Sequence, residues 1–288
     1  MTEQDELTLD ETAERLGVHY MTVYRYVRTG RLPATKAGTE WRVRASDIDG
    51  FRTGTPTGRA PGRPVRRRID PTRLEDRLLA GDEAGAWTIT QQALASGAEP
   101  DEIYLDLLAP GLVSIGVRWS TGEISIADEH RASVVATRLV GRLGPLFLRR
   151  ARTRGTVIVG VVRHDRHGLP TALFADLLRR RGFGLVDLGA DTPPASFRDA
   201  AAGADRLIAV GICATTIGND ASIAATIRAV KRVRDVPVVL GGSALADASV
   251  AARLGADHWR ATTVEALALF ARLGEDAAGR RRARPASR

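Results

Sequence analysis

From Thr156 onward, three short runs rich in β-branched residues, TVIVGVV, RLIAVGI and PVVLGG, are separated by stretches with helical periodicity such as TALFADLLRRRG and ASIAATIRAVKRV. Strands spaced this way are too far apart for hairpins, and each connection is long enough for a helix that crosses back over the sheet. The pattern predicts an open parallel sheet with helices on both faces, a Rossmann-like (flavodoxin-like) α/β domain over residues 151–273. Such sheets hold ligands beyond the carboxyl ends of their strands. The strand-to-helix loops are therefore where chemistry is expected.

Upstream the period changes. Between residues 71 and 150, Leu74, Leu78, Ile103, Leu107, Leu108, Val134, Val135 and Leu139 recur at helical spacing, broken at Gly81, at Gly97-Ala98-Glu99-Pro100 and at Gly122. This predicts a four-helix bundle. Residues 53–70, TGTPTGRAPGRPVRRRID, are too poor in apolar groups to bury a core and read as a flexible basic linker. They set off a small module at residues 1–52, and residues 274–288 read as a basic disordered tail. The chain is thus expected to be multidomain.

Charge and composition exclude more than they identify. The net charge is +8, but Lys36 and Lys231 are the only lysines, and the arginine excess is concentrated in the linker and the tail. There it can touch phosphate without reading sequence. One cysteine, Cys213, rules out a disulfide framework and a multi-cysteine zinc site. No run approaches the ~18–20 apolar residues of a membrane span, and the acidic start MTEQDELTLDE is unlike a secretory signal, so no membrane association and a cytoplasmic location are expected. No nucleophile triad, phosphate-binding glycine loop or paired-carboxylate site is evident, so the chain is not expected to be an enzyme in its own right.

In the first module, Thr8 or Asp10 can cap a helix whose Leu9, Ala13 and Leu16 share a face, and Gly17 turns the chain into a second helix from about His19 to Arg28. Arg31-Leu32-Pro33 leads out of it. A hairpin-like stretch follows, with Gly38 at its tip and Thr39, Trp41 and Val43 alternating as in a strand. Residues 7–52 resemble the winged helix-turn-helix of the excisionase and MerR-type regulators. The resemblance places Tyr20, Thr22, Tyr24, Arg25 and Arg28 on the recognition helix, and Arg42 and Arg44 in the wing, as contacts to double-stranded operator DNA. Internal packing of Tyr20 and Tyr24 is the alternative. One copy reads a single half-site weakly, so at least a dimer on DNA is expected.

Two further constellations stand out. Trp119 is followed after nine residues by Glu129-His130, with Gly122 allowing the chain to turn between them. Asp165-Arg166-His167 directly follows the run VIVGVV, where a doubly wound sheet holds its ligand. Imidazole is a good axial donor to a transition metal, and a carboxylate two residues earlier can accept from its other nitrogen. His164 is expected to point away. Gly168, the segment VGICATT with Cys213 and Thr215, and the pair Gly241-Gly242 add small residues at other strand ends, leaving space for a large flat group.

Together these resemble the cobalamin-binding domain, with its Asp-x-His-x-x-Gly loop, Ser-x-Leu/Thr segment and Gly-Gly turn behind a helical cap. The Trp-x9-Glu-His spacing is similar to that of the light-sensing adenosylcobalamin-dependent repressors of the CarH and LitR type, and the resemblance spans residues 7–272. It implies His167 as lower axial ligand of cobalt, oriented by Asp165. It implies the cofactor's nucleotide tail running past Cys213, Thr215, Gly241 and Gly242, with Gly168 a further cofactor contact in the His167 loop, and Trp119, Glu129 and His130 over the upper face. It also implies a dimer or tetramer in the cofactor-bound state and a switch in DNA binding on illumination, by loss of the contacts the adenosyl group makes.

Three positions depart from the family. Pro170 stands where it has glycine, Cys213 where it has serine, and Ser120 follows Trp119 where some light-sensing relatives have a histidine. They leave open a regulator with an altered ligand, a second tetrapyrrole such as a bilin or no cobalamin, and a corrinoid carrier serving a methyltransferase.

Overall fold

The computed structural model describes residues 6–18, 23, 27, 32–37, 40–53, 70–148 and 153–283. The chain divides into two compact units, Met1–Arg68 and Ile69–Arg288.

In the first unit, β1 (Glu6–Thr8) leads into α1 (Leu9–Leu16), and β2 (Thr35–Ala37) and β3 (Glu40–Arg44) precede α2 (Ala45–Thr53). Thr8 is the cap: its Oγ1 accepts from the Glu11 N–H at 3.2 Å, while its own N–H donates to Glu11 Oε2 at 2.7 Å. Gly17, left-handed at φ +66°, ends the helix. The acidic N-terminus contributes a strand that the periodicity did not reveal. β1 pairs antiparallel with β3, which also pairs with β2, so β3 is central. Val43 on β3 is buried with Leu9, Ala13, Val23, Val27, Leu32 and Ile48. Arg42 and Arg44 lie on β3 to either side of Val43, and Arg44 is exposed. Tyr20, Thr22, Tyr24, Arg25, Arg28 and the Gly38 tip lie outside the described residues.

The second unit begins with α3 (Pro71–Ala80) and α4 (Glu83–Ala95). Asp70 and Asp82 cap them, and Gly81 at φ +72° breaks the chain between them. Pro100–Glu102 then starts a helical stretch that is π-wound over Ile103–Leu108 and continues as α5 (Ala109–Ser120). α6 (Ile126–Leu143), capped by Ser125 and Asp128, completes the cap. Leu74, Leu78, Ile103, Leu107, Leu108, Val135 and Leu139 are buried as the spacing predicts. Val134 is not: it is 52% exposed, because Val135 already occupies the inward position.

The sheet follows as β4 (Thr156–Val161), α7 (Leu169–Arg180), β5 (Gly184–Asp187), α8 (Pro194–Gly203), β6 (Leu207–Cys213), α9 (Asp220–Lys231), β7 (Val238–Gly241), α10 (Ala248–Arg253), β8 (His258–Trp259) and α11 (Thr263–Ala283). Its strands are parallel in the order β5-β4-β6-β7-β8. Alternate strand residues face opposite layers. Ile158, Val210 and Leu240 pack with Phe197 of α8 and Ile223 and Ile227 of α9. Val157, Val159 and Val239 pack with Leu177 of α7, Phe270 of α11 and the cap residues Leu107, Leu139 and Phe147, so cap and sheet share one core.

The expectation of a disordered tail from residue 274 is corrected: α11 runs to Ala283. Leu273 and Ala277 pack on the core, and Glu275 pairs with Arg154 at 3.3 Å, so burial and charge carry the helix past Gly274. Among the described residues no helix is long and apolar enough to cross a membrane.

Candidate functional site

β4 is flanked by β5 on one side and β6 on the other, so the strand order reverses between β4 and β6, and the crevice at their carboxyl ends is the topological switch point. The loops leaving these two strands meet there. Asp165, in the β4 loop, is fully buried and accepts from residues in both loops. The Thr215 N–H donates to Oδ2 at 2.5 Å and the Thr216 N–H at 3.0 Å, and Thr215 Oγ1 lies 3.0 Å from each oxygen. The His167 N–H reaches Oδ1 at 3.2 Å, and His167 Nδ1 reaches it at 2.8 Å.

These contacts fix protonation states. Burial works to raise the Asp165 pKa, but the hydrogen bonds from Thr215, His167 and Thr216 outweigh it and hold the carboxyl down to about 2. An ionised carboxylate only accepts, so the bonded Nδ1 carries the proton and the lone pair of His167 is on Nε2. The imidazole is 59% exposed. A fixed, outward-facing imidazole with a buried carboxylate behind it is the arrangement of a metal-ligating histidine, and one such donor suits a metal that brings its remaining ligands in a macrocycle.

The structure brings Asp165, His167 and Thr215 together, with Thr215 on the carboxylate of Asp165, and adds Thr216, which no local sequence pattern marks. Its N–H binds Asp165 and its Oγ1 lies 3.5 Å from His167 Nδ1. Cys213, the last residue of β6, sits beside the cluster. Burial raises its thiol to about 11, with the Asp165 charge adding to the rise, so it stays a neutral group.

The glycines have structural duties in addition to any contact with a ligand. A Cβ on Gly242, at φ +107°, would fall 2.1 Å from the Ala214 carbonyl oxygen. The β6 and β7 loops close on each other here: the Ala214 N–H donates to Gly241 O at 3.0 Å and the Ala244 N–H to Ala214 O at 3.1 Å. Gly242 therefore has a packing requirement of its own, beside the space it is expected to leave. Gly168 caps α7 and would carry a Cβ 3.3 Å from that of Ala190. α7 begins at Leu169 rather than Thr171, which puts Pro170 in its first turn, where a missing N–H costs no helical bond. The replacement of glycine is thereby accommodated.

On the cap, Trp119 lies in the last turn of α5 and is 44% exposed. Arg118 anchors that turn, bonding Glu75 at 2.6 Å and Glu123 at 2.8 Å. Gly122, at φ +77°, turns the chain toward α6, whose first turns carry Glu129 and His130. Glu129 Oε2 lies 2.6 Å from His130 Nδ1, and Ser133 Oγ donates to Glu129 Oε1 at 2.7 Å, so His130 is also carboxylate-backed. Ser120 turns its hydroxyl onto the Val117 carbonyl at 2.8 Å. Among the described residues no hydrogen bond links Trp119, Glu129 or His130 to the Asp165 cluster.

Comparison with known proteins bears on the domains that carry these residues. Two B12 binding domain families match residues 72–143 and 155–268, and a helix-turn-helix domain family matches residues 6–55. The dimethylamine corrinoid protein of Methanosarcina barkeri is 29% identical over 68% of this chain and 92% of its own length. The trimethylamine corrinoid protein 1 of Methanosarcina acetivorans is 26% identical over 43% of this chain and 59% of that protein. The solved Methanosarcina barkeri monomethylamine corrinoid protein shares the fold over 73% of this chain and all of that one, with a TM-score of 0.64 at 21% identity. Site geometry and domain matches together fit a cobalamin-binding protein that also carries a helix-turn-helix domain.

Proposed function

We propose that the chain binds a cobalt corrinoid with His167 as lower axial ligand and reports its state to DNA through the N-terminal unit, as a regulator and not as an enzyme. The observation that carries this reading is the buried Asp165 carboxylate holding the exposed His167 ring at the switch point. A cobalt corrinoid held there by His167 would supply a metal centre that takes one ligand from the protein and carries a labile substituent. His167 Nε2 offers the lone pair. Asp165 accepts the hydrogen bond from Nδ1–H, and Thr215 and Thr216 keep Asp165 anionic. The nucleotide tail would run past Cys213, Thr215 and Gly241, and Trp119, Glu129 and His130 would cover the upper face. Adenosylcobalamin as the ligand, light as the input, repression as the output and assembly into a dimer or tetramer belong to this reading. The Trp119 to Glu129-His130 spacing supports them.

A second reading is a corrinoid carrier for a methyltransferase. The names of the relatives favour it for the second unit, since the dimethylamine corrinoid protein aligns over nearly its whole length. The helix-turn-helix match at residues 6–55 is the feature a carrier does not need.

The test takes the full chain with adenosylcobalamin in darkness and after green light, following the visible spectrum, elution volume and retention of DNA from its own promoter region. A corrin spectrum with light-reversible assembly and DNA retention is expected. Corrin binding that leaves DNA retention unchanged selects the carrier, and a preparation that never takes up corrin overturns both.

A further inference from the structure

The residue before Asp165 has a left-handed backbone and is not glycine. His164 lies at φ +71°, and Asp191, in the loop after β5, lies at φ +50°. L-residues crowd their own backbone in this region, although aspartate and asparagine tolerate it best. A pair of such residues at one sheet edge needs a compensating interaction. The structure supplies it: the His164 N–H donates to Asp191 Oδ1 at 2.7 Å, and the Asp191 N–H donates to the Asp165 carbonyl at 2.9 Å. Beside them the Thr192 N–H donates to the Val161 carbonyl at 2.9 Å, tying the β5 loop to the end of β4. Thr215 and Thr216 thus hold the side chain of Asp165, while Asp191 holds the main chain of residues 164 and 165.

We infer that Asp191 is a positioning residue for the His167 imidazole. It fixes the stretch of backbone from which Asp165 projects, and so the distance and angle at which Asp165 accepts the hydrogen bond from the His167 Nδ1–H. The inference rests on the reading of His167 as the axial ligand. Asp191 is exposed, so replacing it leaves the core intact. Three substitutions separate its two duties. Asp191→Asn keeps both the acceptor and the left-handed tolerance, Asp191→Gly keeps only the backbone freedom, and Asp191→Ala keeps neither.

The experiment titrates the full chain with diaquacobinamide, a corrin without a nucleotide tail, and reads the visible band shift that follows imidazole coordination. Alongside it, hydrogen exchange at the His164 amide and the melting temperature are measured without corrin. Asp191→Gly and Asp191→Ala are expected to weaken the band-shift affinity by about tenfold, the low end of the loss for a metal ligand's direct hydrogen-bond partner, since Asp191 acts one step further out, through Asp165. Their His164 amide should exchange faster while the melting temperature holds, and Asp191→Asn should behave as the parent. Parent-like affinity in Asp191→Gly, an unchanged His164 amide, or an Asp191→Asn as impaired as Asp191→Gly would each overturn the clamp. His167→Ala is the reference: its loss of the shift beside an unaffected Asp191→Gly removes the clamp alone. A parent with no shift removes the axial reading and the clamp with it.

Discussion

Five donors converge on the carboxylate of Asp165, and this makes one side chain responsible for both site geometry and local stability. Its folded-state pKa of about 2 lies below the ordinary value of 3.8, despite burial, because of the donors from Thr215, His167 and Thr216. A group depressed in this way contributes stability above the unfolded pKa and loses it as the pH falls through the folded one. The contribution is about 2 kcal/mol, present above about pH 4 and gone near pH 2. Asp165→Asn should therefore be less stable than the parent at pH 6, with the gap closing between pH 4 and 2. Urea midpoints of both proteins across that range measure it, and a gap independent of pH would refute the assignment. The Asp165–His167 pair was legible because its spacing of two residues is local and its place after a strand implies a ligand loop. Thr216 and Asp191 were not, because their roles arise only when β6 and β5 are laid on either side of β4, which no local pattern encodes.

At the scale of elements, cap and sheet are joined by a buried polar contact as well as by apolar packing. Tyr104, in the π-wound stretch, stacks on Phe147 at 4.3 Å between ring centres and donates to Asp176 Oδ2 of α7 at 2.8 Å. Asp176 also pairs with Arg179 at 2.6 Å. Burial and the neighbouring Asp176 charge push the phenol far above its usual range, so it remains a donor at all working pH values. α7 starts directly after the His167 loop, so this contact ties the cap to the helix that begins at the site. Tyr104→Phe leaves a buried carboxylate oxygen short of a donor, at a cost of about 1–3 kcal/mol, with Arg179 keeping it toward the lower end. A fall in melting temperature with an unchanged far-ultraviolet spectrum checks this; an unaltered melting curve would show that the hydroxyl carries no net stability. Runs of β-branched residues and amphipathic stretches announced the strands and helices. The strand order, the π-turn and the extension of α11 did not show, because each depends on contacts made between distant segments, such as Glu275 with Arg154.

For the whole molecule the question is whether the two units communicate. Residues 69–288 hold the complete Asp165–His167 cluster, the shared core of cap and sheet, and both B12 domain matches, so this fragment should bind corrinoid as tightly as the full chain does without DNA. It should retain no specific DNA. The regulator reading demands more of the full chain. If corrin changes the affinity for DNA by some factor, DNA must change the affinity for corrin by the same factor, since both measure one coupling free energy. For a coupling of 1–3 kcal/mol, typical of allosteric proteins, that factor is about 5–150. Titrating the full chain with adenosylcobalamin in darkness, with and without saturating operator DNA, reads it directly, and the fragment gives the uncoupled value. A carrier that happens to bear a DNA-binding unit would show identical corrin affinities in all three titrations. Matching factors in the two directions would mean that the state of the crevice at β4 and β6 is felt in the N-terminal unit.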